Sequence, residues 1–280
     1  MQNMPRKNAS RAKKISKHGA VPVIAYINLS GAPGRSTLAF HTALYLVRKS
    51  DLGKRVLVID FDGQGHTSTR LMQRLDLEWL TATRTTQLFE TNPPPIQPVL
   101  TPSGCELIYS LSNDVDLADI EAEDPSVVDL PAANLAPLLS SGRYGAVVLD
   151  CPSRMARSLA AAARLASHVV VPVAASAQMN TSLLQPITKL LKGSGSCGSI
   201  TGVVINRYQR GNARHQTFAA GLEATLGDLL LKQRIGLRAI FEEANDTGKA
   251  VWDLREGAYR SASLEIQDVI REVISRIGLY

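Results

Sequence analysis

Residues 28–37 read NLSGAPGRST and lie between an apolar run, VPVIAYI (21–27), and a stretch of helical spacing, LAFHTALYLVRK (38–49). A strand, a glycine-bearing loop and a helix opening at a Ser/Thr pair make an anion trap, because unsatisfied N–H groups and the helix dipole face the loop. Gly31 and Gly34 would let the backbone approach a phosphate, and Ser36 would offer its hydroxyl to Mg²⁺. The common pattern GxxxxGK[ST] is not met: Leu29 stands at its first glycine and Arg35 at its lysine. The loop therefore reads as a working nucleotide site, a weakened one or only a turn, and the rest of the chain has to decide.

Apolar runs rich in β-branched residues recur at 21–28, 55–60, 105–110, 145–150, 168–173 and 200–206. Stretches of helical spacing lie among them at 36–49, 155–166, 176–192 and 213–227. Short, continuously apolar strands alternating with helices predict a mostly parallel sheet covered on both faces, a doubly wound α/β fold with ligands at the carboxyl ends of its strands. The segment TNPPPIQPVLTP (91–102) is expected to be a connecting loop, since its prolines remove amide donors. SLEIQDVIREVISRIGLY (263–280) places Ile266, Val269, Ile270, Val273, Ile274 and Ile277 on one helical face, with both signs of charge opposite, and is expected to pack on the sheet instead of on a membrane.

The 280 residues carry 31 Lys and Arg against 25 Asp and Glu, and the excess lies entirely in residues 1–20, where Arg6, Lys7, Arg11, Lys13, Lys14 and Lys17 meet no acid. The expected organisation is a disordered basic tail over 1–20 and one domain over 21–280. The tail is either a solvated terminus or a contact for polyanions. Between Arg84 and Arg143 no Lys or Arg occurs, while Asp114, Asp116, Asp119, Glu121, Glu123, Asp124 and Asp129 cluster, which predicts an acidic, solvated edge. Cys105, Cys151 and Cys197 show no paired spacing, so neither a zinc site nor a disulfide framework is expected. No membrane span is expected, as the longest apolar-rich stretch is broken by Arg164, His168 and Pro172.

Three further segments end in polar residues suited to the loop. RVLVIDFDGQ (55–64) closes a strand with Asp60 and Asp62, GAVVLDCPS (145–153) closes one with Asp150, and VVIN (203–206) closes one with Asn206. Carboxylates at strand ends beside a phosphate loop can hold Mg²⁺ through water and orient an attacking water. With these in view the sequence resembles the ParA/MinD-type ATPases with a deviant Walker A motif. That family's KGGxGKT[ST] aligns with Ser30–Thr37, its VLxxDxDPQ with residues 56–64, and its DxPP with residues 150–153. Its later proline-bearing strand aligns with VVVPVAAS (169–176), and a stretch near its C-terminus with residues 235–254. The likeness covers about residues 22–278.

The resemblance implies that Gly31, Ala32, Pro33, Gly34, Arg35, Ser36, Thr37 and Asn206 hold ATP or ADP. It implies that Ser36, Asp60 and Asp150 support Mg²⁺ and that Asp62, with Asp60, serves hydrolysis. The two family lysines are replaced, by Ser30 and Arg35, so weak or altered turnover is expected. The resemblance further implies a homodimer that binds DNA without sequence preference, a ParB-like centromere-binding partner, and a cytoplasmic, nucleoid-associated role in a prokaryote. Arg207, Arg210 and Arg214 are the first DNA-binding candidates, with Lys232, Arg234 and Arg238 behind them. A non-hydrolysing scaffold of the same fold, for DNA binding or cargo positioning as in conjugation, is the alternative.

Overall fold

A computed structural model describes residues 21–29, 33–48, 52–73, 79, 81–175, 184–254 and 259–279. The sheet is built from β1 (Val23–Tyr26), β2 (Arg55–Asp60), β3 (Val99–Leu100), β4 (Glu106–Ile108), β5 (Tyr144–Asp150), β6 (His168–Ala174) and β7 (Ser199–Asn206). Their order is β3-β4-β2-β5-β1-β6-β7, parallel throughout except for β3 against β4. Helices cover both faces: α1 (Arg35–Arg48), α2 (His66–Met72), α3 (Val115–Asp119), α4 (Leu130–Ser140), α5 (Arg157–Leu165), α6 (Gln185–Gly193), α7 (Ala213–Leu226), α8 (Ile240–Thr247) and α9 (Tyr259–Ile277). This is the doubly wound α/β fold that the alternation of apolar runs predicts.

Strand pleating divides the core into two layers. Ile24 and Tyr26 of β1 face Leu38, Phe40 and Leu44 of α1 and Ile266, Val269 and Ile270 of α9. Val23 and Ala25 face the other side, among Leu159 of α5, Ile187 of α6 and Phe218 of α7. The apolar stripe of α9 thus packs against the sheet, and Arg276 pins its end by donating to the carbonyls of Thr201 (3.0 Å) and Leu230 (3.3 Å). No helix among the described residues is long and apolar enough to cross a membrane.

One expectation needs correction, and a second gains detail. Within 91–102, Val99 and Leu100 form an antiparallel edge strand, because beyond Pro98 the chain regains its amide donors. The acidic run is exposed at Asp116, Asp119, Glu123, Asp124 and Asp129, as expected, but it is also tied down at several points. Asp114 is buried, caps α3 by accepting from Leu117 N (3.2 Å) and pairs with Arg84 at 3.0 Å. Asp116 pairs with the same arginine at 2.9 Å, Glu121 accepts from Arg157 N at 2.6 Å, and Asp129 pairs with Arg164 at 3.1 Å. The partners come from outside the run in sequence, so no local pattern shows them. Of the predicted helix over 176–192, residues 176–183 lie outside the described residues, and α6 occupies the remainder.

After β1 the chain crosses to β2 on one side, and after β5 it crosses to β6 on the other, although β1 and β5 are neighbours. That divergence opens a crevice at the carboxyl ends of the strands, where ligands of open α/β sheets bind. Residues 33–37 and Ser153 of the DCPS segment border it.

Candidate functional site

Ser30, Gly31 and Ala32 lie outside the described residues. From Pro33 onward the loop is held from across the sheet: Asn206, ending β7, donates through Nδ2 to the Pro33 carbonyl at 2.8 Å. Gly34 adopts φ +89°, and a Cβ there would stand 2.2 Å from that same Nδ2. Glycine is required here by conformation and by space together. Helix α1 starts at Arg35, so Ser36 and Thr37 occupy its first turn, where backbone N–H groups lack intrahelical acceptors.

Arg35 does more than substitute for lysine. Its side chain is buried, its Nε donates to the Cys151 carbonyl at 2.9 Å and its Nη1 to the Asn28 carbonyl at 3.3 Å. The planar fork thereby ties the loop after β1 to the loop after β5, a bridge that a single ammonium could not make with the same geometry.

The strand-end carboxylates are brought together by register, with Asp60 and Asp150 opposite each other on β2 and β5. Both are fully buried. Asp60 Oδ1 accepts from Asp62 N (3.1 Å), while Oδ2 accepts from the amide and the hydroxyl of Ser68, each at 2.8 Å. It therefore caps the start of α2, whose own N-cap, Gly65, has no side chain to do so. Asp150 Oδ2 accepts from Thr67 at 2.7 Å, whereas its Oδ1 is buried without a hydrogen-bond partner. Burial pushes both carboxyls upward, Asp60 further through the charge of Asp150; the Thr67 and Ser36 hydroxyls and Arg35 draw Asp150 back down. Asp62 accepts from Gln64 N at 3.1 Å and reaches the cavity wall. Cys151 is buried beside them and its thiol is pushed far up by burial, which leaves it unreactive.

A cavity of about 370 Å³ opens among the loop, α1, α2 and α8, with Asp62 on its wall, while Asp60 and Asp150 are not among the residues that line it. Of the residues that the resemblance assigns to nucleotide, Pro33, Gly34, Arg35, Ser36, Thr37 and Asn206 line it, and Asp62 lines it too. So do Arg70 of α2 and Phe241 and Asn245 of α8, which sequence reading missed. Asn245 contacts Thr37 at 3.4 Å. Its segment carries a family likeness but no local chemistry, and Arg70 is an isolated charge in a short helix. The described residues contain no group of three His, Cys, Asp or Glu placed to hold a metal by themselves.

Arg207, Arg210 and Arg214 follow β7 and are exposed; Arg207 has φ +56° and also borders the cavity. No ion pair engages any of the three among the described residues. Behind them runs a groove of about 560 Å³ lined by Arg210, Lys232, Arg234 and Arg238. Arg234 stacks over Tyr208 at 4.9 Å, and Arg238 forks onto Glu265, with Nη2 at 2.7 Å.

Residues 21–193, more than half of the chain, match a family model described as an AAA domain. The chain belongs to this family and, by its relatives and its fold, to the ParA/MinD-type P-loop proteins within it. It is 28% identical over 269 residues to the chromosome partitioning protein ParA of Caulobacter vibrioides, covering 91% of this chain and 94% of that one. It is 25% identical over 260 residues to protein IncC of Escherichia coli, covering 90% of this chain and 69% of the relative. In fold it is similar to a Cyanothece McdA variant in complex with ATP, with TM-score 0.76 at 19% identity over 94% of this chain and 98% of that one. A plasmid partition protein of Borrelia burgdorferi bound to AMPPNP superposes with TM-score 0.73 at 18% identity, over 92% of this chain and 98% of that one.

Proposed function

We propose that the chain is a ParA-like DNA segregation protein that binds ATP or ADP with Mg²⁺ in the 370 Å³ cavity, dimerises and binds DNA without sequence preference. The observation that carries this reading is the buried, unpartnered Oδ1 of Asp150, on the strand beside the first turn of α1. A buried carboxylate oxygen without a donor is disfavoured unless a cation or its water shell satisfies it. Ser36 and Asp150 are the residues that would hold Mg²⁺, the α1 amides would take phosphate, and Asp62 would orient the hydrolytic water. Magnesium bound there would neutralise charge on the phosphates. Asp60, both of whose oxygens accept hydrogen bonds, organises α2 and the Asp62 turn, and it would support Mg²⁺ alongside Asp150 as the resemblance implies.

The relatives named as partition proteins support the segregation role, and with it a ParB-like partner and a nucleoid-associated, cytoplasmic protein. Gly31 and Ala32 are assigned to phosphate by motif alone, and residues 1–20 to a separate tail by their basic composition. A second reading, the non-hydrolysing scaffold, draws support from Arg35, whose Nε and Nη1 donate to backbone carbonyls. The experiment that separates the two measures Mg²⁺-dependent ATP binding and hydrolysis, with and without DNA, alongside Asp62→Ala. Turnover stimulated by DNA and abolished in the variant supports the switch. Nucleotide binding without turnover supports the scaffold, and absence of binding removes the nucleotide site.

A further inference from the structure

Among the described residues, the arginines lining the cavity are Arg35, Arg70, Arg207 and Arg238. Three have other engagements or surroundings. Arg35 bridges the Cys151 and Asn28 carbonyls, Arg238 is forked onto Glu265, and Arg207 stands exposed at the rim. Arg70 differs from all of them. It projects from α2 into the cavity wall with its Nη1 buried and without a hydrogen-bond acceptor. Among the described residues it forms no salt bridge, although Asp150, Asp60 and Asp246 lie near enough to act on its charge. Its guanidinium remains protonated even where burial opposes the charge.

A buried charged donor without an acceptor is destabilising, and folded proteins retain few of them. The general carboxylate field around Arg70 offsets its charge but leaves the Nη1 hydrogens unsatisfied. An anion that enters the cavity supplies the missing acceptor once the guanidinium, which lines the cavity, turns Nη1 toward it, and the first turn of α1, lining the same cavity, favours an anion there.

We propose that Arg70 is a phosphate-binding residue of this cavity, supplying through Nη1 a donor additional to Arg35, whose Nε and Nη1 are turned onto backbone carbonyls. This rests on the nucleotide reading of the cavity. Positive charge that the motif lysines would bring is delivered from α2, the helix that Asp60 caps, so nucleotide phosphates couple to the segment carrying Asp62. A residue that served only as counter-charge to Asp60 and Asp150 would affect stability without distinguishing ligands by their phosphates.

The test is calorimetric titration of the full chain with Mg²⁺ and, separately, ATP, ADP and AMP, for the unaltered protein and for Arg70→Gln and Arg70→Lys, with thermal unfolding of each in the absence of ligand. Arg70→Gln is expected to weaken ATP and ADP by about tenfold or more, as loss of a charge-assisted hydrogen bond does, and to leave AMP within about twofold. Arg70→Lys is expected to show a smaller loss in the same order. ATP affinity within about twofold of the unaltered protein in both variants would overturn the proposal, as would equal weakening of all three nucleotides. Should Arg70→Gln fail to fold, Arg70→Lys alone decides: selective weakening of ATP and ADP supports it, and an unchanged ratio to AMP overturns it. Failure of the unaltered protein to bind any nucleotide would remove the nucleotide reading and this proposal with it; binding indifferent to Arg70 removes this proposal only.

Discussion

At Gly34 a left-handed backbone and a neighbouring amide leave no room for a side chain: φ is +89° and the Asn206 Nδ2 would lie 2.2 Å from a Cβ. Gly34→Ala is expected to lower stability by about 1–3 kcal/mol, the scale of one strained backbone residue, and to weaken nucleotide binding by breaking the Asn206–Pro33 hydrogen bond. Thermal unfolding and ATP titration of the variant check both. One position later, Arg35→Lys gives up two bonds to backbone carbonyls and is expected to cost about 2 kcal/mol. If the missing lysines limit turnover, Ser30→Lys with Arg35→Lys raises the steady-state ATPase rate in spite of that loss. An unchanged rate would move attention to another departure, such as Gly63 at the family's proline. Asp60, Asp62, Asp150 and Asn206 were legible beforehand because strand ends are visible in sequence. The bracing role of Arg35 was not, since its acceptors belong to backbone 7 and 116 residues away.

Between elements, His41 joins α1 to the segment after α8. Its Nδ1 donates to the Thr37 carbonyl at 2.7 Å and its Nε2 accepts from Val251 N at 3.2 Å, which requires the neutral ring. Phe40, Phe241 and Trp252 meet it edge-on at 5.1, 6.1 and 5.5 Å. Burial, with a further push from the Arg70 charge and against the Thr37 carbonyl, lowers its pKa to about 4. A histidine whose pKa is lower folded than unfolded takes its proton more readily when unfolded. Stability associated with it is complete above the unfolded value and declines as pH falls toward 4. Between about pH 7.5 and pH 5 this contribution falls by about 2 kcal/mol. Urea unfolding at both pH values measures it; His41→Gln should start lower and lose less on acidification. The periodicity of α1 foretold the helix but not this junction, because Val251, which donates to His41, lies 210 residues further along the chain.

Across the whole molecule, the exposed arginines after β7 and the groove behind them form one basic face, distinct in character from the Arg84-, Arg157- and Arg164-paired acidic region. DNA affinity is expected to fall steeply with salt. Replacing Arg207, Arg210 and Arg214 with alanine should flatten the slope of log affinity against log salt by about 2.7, the release of three counterions on duplex DNA. Fluorescence anisotropy with a labelled duplex at several salt concentrations measures this. Affinity and slope unchanged in the triple variant would move the contact to Lys232, Arg234 and Arg238 in the groove or to residues 1–20.

The sequence by itself determined the layered α/β class, the loop-then-helix opening, the strand-end carboxylates and the inward face of α9, because apolar periodicity and turn chemistry are local and survive without knowledge of neighbours. Only the tertiary structure decided the strand order, the pairing of Asp60 with Asp150 across β2 and β5, and the diversion of Arg35 to backbone. It alone also brought Arg70 and Asn245 to the cavity. Each of these depends on which distant groups compete for a donor or acceptor in a confined space, and that competition is settled by packing between elements, not by the order of residues along any one of them.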